Sequence, residues 1–535
     1  MGTTLNPPML YLGLDCSTQS LTAIVIEVDD DARAVVYERS LDFDVDLPHY
    51  GTRHGVLPAD DPRVAVSPPI MWAEALDRVL ADVAASGLDL SRLAAIAGSA
   101  QQHGSVYLNA SAGARLATLD PAQPLAPQLE GLFSRPVAPI WMDVSADEEC
   151  REITRAMGGA DRLATLTGSR AFERFTGPQI RKFFKREPDR YAATDRIHMV
   201  SSFMASLLTG GHAPLDPGDA SGMNLMDLLT NRWLPDALEA TAPDLGRRLP
   251  PIVSSWSVVG TVASYWQGRH GLPPARVVAW SGDNSCSLIG TGLVRPGQLT
   301  VSLGTSDTVC GVMARPDVDR SGIGHVFGAP TGEFLALVCF RNGSLARERV
   351  RDQFGLDWDA FSAALRSTPA GNHGGLMLPW FEPEITPDVP VAGVHVVDLD
   401  PADGAASVRA VVEGQMLGMF RHSRWMGVET QVIHATGGAT VNREILQVMA
   451  DVFDAEVRQF IVANAACLGA ALRALHADRE ADGRPMAWTD VVKGLAEPVA
   501  GSAVEPVAAN GGTYRELAAK QAELERRVRS AGSGT

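Results

Sequence analysis

The chain begins with two β-rich runs that flank a short polar segment. The runs MLYLGLD and LTAIVIEV are separated by CSTQS. Two such runs joined by a few Ser, Thr and Gln residues predict a β-hairpin with a hydroxyl-lined turn. A third run, AVVYERSLDFDV, predicts a further strand of the same sheet.

The next part of the chain indicates an α/β organisation. Apolar residues recur at the i, i+3, i+4 and i+7 spacing of an amphipathic helix. These residues are Trp72, Ala75, Leu76, Val79, Leu80 and Val83. The run LAAIAGSA then predicts a buried strand, which completes a strand, helix, strand order. Before the helix, residues 47–69 are rich in Pro, Gly, His and Asp and predict loops.

Chain length and the position of turn-forming residues predict two domains. At 535 residues the chain is too long for one ordinary hydrophobic core. The pattern of residues 144–245 is mostly helical, and Pro and Gly return over residues 249–274 before a new apolar strand, RVVAWSG. We therefore expect an N-terminal domain of residues 1–274 and a C-terminal domain of residues 275–535.

The second half of the chain repeats the opening plan. The segment QLTVSLGTSDTVCGVM consists of an apolar strand, a turn rich in Gly and hydroxyl residues, and another apolar strand. It predicts a second hairpin of the same design and so an internal duplication. QVIHATGG and VRQFIV predict strands, and helices are predicted for NREILQVMADVFDAEV, for ANAACLGAALRALHA and for residues 514–530.

Charge and cysteine usage exclude several classes of function. The chain has 46 Lys and Arg residues against 63 Asp and Glu residues, a formal net charge of −17. Such a surface repels phosphate backbones and anionic lipid, so we expect neither nucleic acid nor a membrane as partner. No apolar run approaches the roughly 18 residues that a membrane span needs. The six cysteines are far apart and the N-terminal sequence does not resemble a secretory signal, so we expect a reducing cytoplasm.

Polar residues follow several predicted strands directly. Asp15 ends the first strand, before the Cys16 to Ser20 turn, where a carboxylate can hold hydrated Mg²⁺ and turn groups can face phosphate. The turn at Gly304 and Thr305 occupies the matching place in the second half. A strand-end Asp can equally cap a turn, but two matching hydroxyl-lined turns favour a phosphate site.

Two more strand ends carry candidate chemistry. Asp283 and Asn284 close RVVAWSG, where Asp283 is either a helix N-cap or a general base facing a crevice. His103 follows LAAIAGSA within the cluster QQHG, and a lone histidine is often structural. Arg174 lies between aromatic residues and suits either packing or a sugar. The spacing alone leaves these alternatives open.

A pair of glycines precedes the helix predicted for NREILQVMADVFDAEV. Gly437 and Gly438 let the backbone approach a flat ring or a phosphate group closely. A tight strand-to-helix turn without any ligand accounts for the same two residues. No GxxxxGK[ST] motif is present, which argues against a P-loop kinase.

Taken together, LGLDCSTQS, SAQQHGS, WSGDNSCSLIGTGL, VSLGTSDT and ATGGATVNREILQVMADVFDAEV resemble the FGGY family of carbohydrate kinases. The resemblance spans nearly the whole chain. It implies an α/β fold of two lobes with an interlobe cleft. This is the actin-like, hexokinase-type ATPase fold, which contains duplicated ribonuclease H-like domains. LTGSRAFERFTGPQI, SGMNLMDL and FRNGSLARERVR look closest to the animal-type members that act on D-xylulose. The implied reaction is ATP-dependent phosphorylation of D-xylulose at O5, with Mg²⁺.

The resemblance also implies roles for individual residues. Asp283 is the implied base and Asp15 the implied Mg²⁺ residue. The implied sugar-binding residues are His103, Arg174, Asp283 and Asn284. The implied ATP-binding residues are Thr18, Gly304, Thr305, Trp358, Gly438, Ala439 and Asn442. Trp358 lies in an amphipathic stretch, where a Trp is usually part of the core, and its flanking sequence matches the family poorly.

Two other functions remain open at this point. One is an FGGY kinase that acts on ribulose, gluconate or glycerol. The other is an actin-fold sugar sensor without turnover, although such a sensor has no need of a base at position 283. The sequence leaves the oligomeric state open, with a homodimer as one option.

Overall fold

The first sheet is built on the predicted N-terminal hairpin. The computed structural model describes residues 7–29, 32–461 and 463–532. Strands Met9–Cys16 and Ser20–Val28 pair antiparallel, and Arg33–Asp42 pairs with the second of them. The three β-rich runs therefore form a meander, as predicted.

The strands in chain order are β1 (Met9–Cys16), β2 (Ser20–Val28), β3 (Arg33–Asp42), β4 (Val66–Ser67), β5 (Leu93–Ala100), β6 (Ser105–Leu108), β7 (Ala138–Pro139), β8 (Arg196–Met199), β9 (Met226–Asp227), β10 (Arg232–Trp233), β11 (Val258–Thr261), β12 (Arg276–Val278), β13 (Ser281–Gly282), β14 (Gln298–Leu303), β15 (Asp307–Met313), β16 (His325–Gly328), β17 (Phe334–Phe340), β18 (Leu376–Trp380), β19 (Gly393–Val397), β20 (Val432–Thr436) and β21 (Glu456–Gln459).

The α-helices are α1 (Phe43–Asp46), α2 (Pro69–Ala84), α3 (Ala112–Ala117), α4 (Leu125–Gln128), α5 (Asp147–Ala156), α6 (Ala160–Thr167), α7 (Thr176–Arg186), α8 (Pro188–Ala192), α9 (Val200–Thr209), α10 (Pro217–Ala220), α11 (Pro235–Thr241), α12 (Leu245–Arg248), α13 (Ser264–His270), α14 (Asp283–Gly290), α15 (Ser344–Gln353), α16 (Trp358–Ser367), α17 (Gly404–Ser423), α18 (Arg443–Phe453), α19 (Ala465–Ala481), α20 (Trp488–Val492) and α21 (Gly511–Gly532).

The chain forms two units that are interleaved along the sequence. The first contains the described residues up to Val294 together with Val326–Phe334 and Ala463–Glu497. The second contains Arg295–His325, the described residues from 335 to 461, and those from 498 onwards. The predicted division at residue 274 gives two continuous halves instead. The first unit extends beyond that point because β12 pairs in parallel with β5, in register Val277 to Ile96.

The sheet of the first unit has the strand order β11-β12-β5-β1-β2-β3, and β13 also pairs with β5. One face packs on α2 and α9, whose buried residues include Trp72, Leu76 and Phe203. The amphipathic pattern of residues 72–83 therefore predicted the buried face of α2. Pro69 begins this helix, at a position where its missing N–H costs nothing.

The opposite face of this sheet packs on α14 and α19. A side chain at Gly13 would place its Cβ 2.2 Å from the carbonyl oxygen of Cys467 in α19. A Cβ at Gly469 would lie 1.9 Å from the carbonyl oxygen of Cys286 in α14. Glycine is needed at both places because helix and strand backbones, and the two helix backbones, approach this closely.

The sheet of the second unit repeats the plan of the first. β14 pairs antiparallel with β15, and β20 pairs in parallel with both β14 and β21. A hairpin followed by parallel strands is thus present in both units, in agreement with the predicted duplication. Helix α18 buries Ile445, Leu446, Met449 and Phe453, the helical face read from the sequence.

Candidate active site

The carboxyl ends of parallel strands bring the polar residues of the first unit together. Asp15 lies opposite Ser99 in the pairing of β1 with β5. Ser281 of β13 is also paired with Ser99, and Asp283 follows β13 directly. Two carboxylates that are far apart in sequence therefore lie at one end of the sheet. We call this set of residues, with Thr18, His103, Arg174 and Asn284, the carboxylate site.

Asp15 and Asp283 influence each other electrostatically. Burial and the nearby Asp15 charge raise the pKa of Asp283 from 3.8 to about 7. Burial likewise raises the pKa of Asp15 to about 6. The Asn284 backbone N–H, 2.8 Å from Asp283 Oδ1, favours the charged form and partly opposes the rise. Asp283 thus titrates close to neutral pH.

Gln102 fixes the orientation of Asn284. Its Nε2 donates to the carbonyl of Gly218 at 3.0 Å, and its Oε1 accepts from Asn284 Nδ2 at 3.0 Å. Asn284 Nδ2 also lies 3.2 Å from Asp283 Oδ1. Because the amide of Asn284 donates to these two acceptors, its Oδ1 faces away from them.

His103 is held as a neutral imidazole. Its Nδ1 lies 2.8 Å from the carbonyl oxygen of Gly222, which can only accept, so Nδ1 carries the hydrogen. Burial, with the charge of Arg174, lowers the pKa of His103 from 6.5 to about 3. The ring is 6% exposed and stacks on Phe175 with centroids 4.4 Å apart. Nε2 is therefore a hydrogen-bond acceptor throughout the neutral pH range.

Arg174 lies close to the same histidine. Its guanidinium carbon lies 5.0 Å from the Phe172 ring centroid and 5.7 Å from that of Phe175. The two aromatic residues noted in the sequence thus form a support for the guanidinium group, and Phe175 is shared with His103. The structure places Arg174 near His103 of the carboxylate site.

Thr18 lies in the turn between β1 and β2. Its Oγ1 accepts a hydrogen bond from the indole N–H of Trp141 at 2.8 Å. Ser17 Oγ closes the same turn by donating to the carbonyl of Ser20 at 3.0 Å. The predicted hydroxyl-lined turn is therefore present and ordered by local hydrogen bonds.

The second unit contains a cavity of about 590 Å³ that gathers the remaining predicted residues. It is lined by Gly304, Thr305, Trp358, Gly438, Ala439 and Asn442, among others. Every residue that the resemblance implied for ATP binding, other than Thr18, therefore lines this one cavity. We call it the second-unit cavity.

Close backbone contacts shape one wall of the second-unit cavity. Gly437 has a φ of 92°, and a Cβ there would lie 2.4 Å from the carbonyl oxygen of Leu303. A Cβ at Gly343 would lie 2.6 Å from the carbonyl oxygens of both Gly304 and Thr305. Only glycine fits at these two points, so the turns that carry Gly304 and Gly438 can approach their neighbours.

Asn442 and Trp358 have well-defined surroundings in this cavity. Asn442 Oδ1 caps α18 by accepting from the backbone N–H of Glu444 at 3.1 Å, and its Nδ2 donates to Ser362 Oγ at 2.9 Å. Trp358 is 43% exposed, with the Arg351 guanidinium 4.5 Å from its ring. Trp358 is thus a cavity residue and does not belong to the core, although a Trp in an amphipathic stretch usually does.

Sequence reasoning missed Asp219, a second buried carboxyl group near the base. It is fully buried in α10, accepts a hydrogen bond from Ser201 Oγ, and interacts electrostatically with Asp283. Burial raises its pKa well above the usual range. The sequence LDPGDAS holds two acidic residues around a turn, and that was the available signal.

The donor set fits Mg²⁺ bound mainly through phosphate and water. Among the described residues, no group of three or more His, Cys, Asp or Glu side chains is arranged to hold a metal ion. Mg²⁺ in kinase sites uses only one or two carboxylates and keeps several waters. Asp15 Oδ1 is buried without a hydrogen-bond partner in the described part of the chain, which suits such a role.

Among the residues that the structure describes, no helix is long and apolar enough to cross a membrane.

Comparison with known proteins agrees with the family resemblance of the sequence motifs. Residues 135–290 match the N-terminal domain of the FGGY family of carbohydrate kinases, and residues 299–477 match its C-terminal domain. The chain is 42% identical to xylulose kinase of Rattus norvegicus, over 98% of each chain. It is 40% identical to xylulose kinase 2 of Arabidopsis thaliana, over 88% of each chain. The solved structure of xylulose kinase from Rhodospirillum rubrum superposes with a TM-score of 0.81 at 21% identity, covering 97% of this chain and 99% of that one.

Proposed function

Because the chain belongs to the FGGY family of carbohydrate kinases, we propose that it transfers the γ-phosphoryl group of ATP to O5 of D-xylulose. The products are D-xylulose 5-phosphate and ADP. The observation that carries the proposal is the Asp283 carboxyl group, which lies at the polar end of the first-unit sheet with a pKa of about 7. The similarity to rat and Arabidopsis xylulose kinases supports the choice of ketose.

Asp283 acts as the general base. A base works best when its pKa lies near the working pH, and burial together with the Asp15 charge supplies that condition. Asp283 accepts the proton of the O5 hydroxyl group as O5 attacks the γ-phosphorus. The bond from that phosphorus to the β,γ-bridging oxygen breaks, and ADP leaves with the electron pair. Such transfer depends mainly on position and charge stabilisation.

The ketose binds to groups of complementary hydrogen-bonding type. His103 Nε2 accepts from a sugar hydroxyl, and Arg174 donates to a hydroxyl or carbonyl oxygen. Asn284 is oriented by Gln102, so its amide presents a fixed pattern to the sugar. A site of this kind discriminates strongly between sugars, because a mismatched hydroxyl leaves a buried polar group without a partner.

The nucleotide is bound by the second-unit cavity. The Gly304 and Thr305 turn contacts phosphate oxygens through backbone N–H and hydroxyl groups. The Thr18 hydroxyl group is likewise assigned to phosphate. Gly438, Ala439 and Asn442 contact the adenosine part, and the exposed indole of Trp358 stacks near the adenine ring. A volume of about 590 Å³ is within the usual range for small-molecule sites.

Asp15 is the residue that would hold Mg²⁺. When bound, Mg²⁺ neutralises charge on the phosphate oxygens of the nucleotide. We place the reaction in the cytoplasm, where a reducing environment suits the free cysteines of the described chain. Light scattering on the purified protein distinguishes a monomer from a homodimer.

The test of this function is Asp283→Asn. The variant keeps the shape of the side chain but cannot take a proton, so we expect the rate to fall by about 10²–10⁴. D-xylulose binding, measured by calorimetry, should change little. Asp236→Asn is the matched control, because that side chain is 67% exposed and forms a surface ion pair with Arg162 at 3.2 Å.

The substrate is tested in the same coupled assay. Wild-type protein is compared on D-xylulose, ribulose, gluconate and glycerol. A clear preference for a substrate other than D-xylulose would overturn the choice of sugar. Near-normal turnover by Asp283→Asn would instead overturn the role of the base.

A further inference from the structure

The turn that carries Thr18 is contacted from two directions by residues outside it. From one direction, the indole N–H of Trp141 donates to Thr18 Oγ1 at 2.8 Å. The Trp141 side chain is nevertheless 44% exposed. The hydrogen bond to Thr18 is the polar interaction that fixes the orientation of this partly exposed indole.

This hydrogen bond decides which way the Thr18 hydroxyl group points. A hydroxyl group has one hydrogen and two lone pairs, and the indole N–H can only donate. One lone pair of Oγ1 is therefore occupied by Trp141. The O–H hydrogen must point away from the indole, so Thr18 is presented as a donor to an acceptor beyond the turn.

From the other direction, the backbone of Gly55 packs on the Thr18 carbonyl group. Gly55 has a φ of 75°, and a Cβ at this residue would lie 1.8 Å from the Thr18 carbonyl oxygen. Any side chain here would both clash and strain the backbone. The loop around Gly55 is thus shaped to lie directly against the turn.

A single carboxylate organises that loop. Asp44 accepts from Thr52 Oγ1 at 2.7 Å, from the Gly55 backbone N–H at 3.2 Å, and from the backbone N–H of His54. Ser67 Oγ donates to the Gly55 carbonyl at 2.7 Å. Gly55 is therefore fixed by hydrogen bonds at both its N–H and its carbonyl group.

The loop and Trp141 belong to one hydrogen-bonded framework. Strand β4 pairs antiparallel with β7, with Val66 opposite Pro139. The pairing continues from the Ile140 backbone N–H to the Ala65 carbonyl at 3.1 Å. Trp141 follows directly, so residues 43–67 and 138–141 form one support, which we call the turn support.

We propose that the turn support positions Thr18, with its hydroxyl hydrogen directed at a phosphate oxygen of the nucleotide. Trp141 and Gly55 are positioning residues that act through Thr18. This inference rests on the proposed function, which assigns Thr18 to the phosphate groups. It also gives a role to residues 47–69, which the sequence marked only as loops.

The test is a double-mutant cycle between Trp141→Phe and Thr18→Val. Trp141→Phe keeps the aromatic ring and removes the N–H, so kcat/KM for ATP should fall about 2- to 10-fold, the effect of one hydrogen bond. The KM for D-xylulose should stay unchanged. In the double variant the loss should equal that of Thr18→Val alone, because Trp141 acts only through the hydroxyl group.

Trp233→Phe is the matched control. Its indole N–H also donates one hydrogen bond, to the Pro250 carbonyl at 3.0 Å, and contacts neither Thr18 nor the turn support. This variant should leave the kinetics unchanged. Gly55→Ala perturbs the turn from the side of the Thr18 carbonyl group. It should reduce kcat/KM for ATP and leave binding of the ketose unchanged. Thermal midpoints of all variants identify any that fail to fold.

The outcomes distinguish the phosphate role of Thr18 from the positioning role of Trp141. Normal ATP kinetics for Thr18→Val would overturn the phosphate role of Thr18 and with it the proposal. A strong loss for Thr18→Val with an additive loss for Trp141→Phe would overturn the positioning role alone. A change in the KM for D-xylulose in Trp141→Phe would also overturn it, because the indole would then contact the sugar.

Discussion

Arg473 connects α19 to the strands that lead into the carboxylate site. Its side chain is 1% exposed and donates to three backbone carbonyls. The acceptors are Gly98 at 3.0 Å, Ser255 at 2.8 Å and Ala279 at 2.6 Å. Because Gly98 lies in β5 and Ala279 precedes Asp283, we predict that Arg473→Met destabilises the first unit.

The size of the effect follows from these bonds. A buried carbonyl that loses its partner costs about 1–3 kcal/mol, so three give roughly 3–9 kcal/mol. Removing a buried guanidinium group relieves the cost of burying an ion, but it also leaves the buried Asp216 carboxylate, 3.8 Å from Arg473, without this cation. We expect a net loss of about 3–5 kcal/mol. The first unit is larger than about 300 residues, so at about 2.1 cal/mol/K of unfolding entropy per residue this is a fall of roughly 4–8 °C in thermal midpoint.

The assay is thermal unfolding followed by intrinsic fluorescence, with and without D-xylulose. Arg484→Met is the control, since this exposed side chain should leave the midpoint unchanged. Activity of Arg473→Met at low temperature should be retained to the extent that the protein is folded. A midpoint within 2 °C of the wild type, a threshold of about 1 kcal/mol, would refute the reasoning, because the three carbonyls would then have found other partners.

Two further predictions concern the nucleotide and pH. Trp358→Ala should raise the KM for ATP about 5- to 150-fold, as the loss of one base–aromatic stack of about 1–3 kcal/mol implies, and should leave the KM for D-xylulose unchanged. Steady-state kinetics would contradict this if the ketose KM changed instead. Burial lowers the pKa of His198 from 6.5 to about 3. Between these two pH values the imidazole is protonated in the unfolded chain but stays neutral in the folded protein. Stability should therefore be complete above pH 6.5 and fall as the pH drops from 6.5 towards 3. Thermal midpoints from pH 7.5 to 5 should show a shallower fall for His198→Asn, and an equal slope would contradict the assignment.

Local sequence was sufficient to locate the ends of the key strands. Asp15, His103 and Asp283 each follow an apolar run directly or within three residues, and parallel strands bring such ends together. The strand pairing therefore places at one end of a sheet what the sequence showed as separate motifs. In the second unit the same reasoning, aided by the family resemblance, found the residues that line the cavity.

Other parts depend on contacts that no local pattern encodes. Trp141 and Thr18 are 123 positions apart, and the hydrogen bond between them has no signature in hydrophobic periodicity. Hydrophobic periodicity likewise does not show that residues 463–497 belong to the first unit. Periodicity predicted α19 as a helix, but its association with the first sheet depends on close approaches at Gly13 and Gly469.

The return of residues 463–497 to the first unit has a consequence for biosynthesis. When the ribosome has made Val294, the strands of the first sheet exist but α19, which covers one of their faces, does not. At about 5–20 residues per second, α19 follows roughly 10–40 s later. During this interval the nascent chain exposes an apolar sheet surface, so a fragment that ends before residue 463 should be a strong client for chaperones and should aggregate when expressed alone.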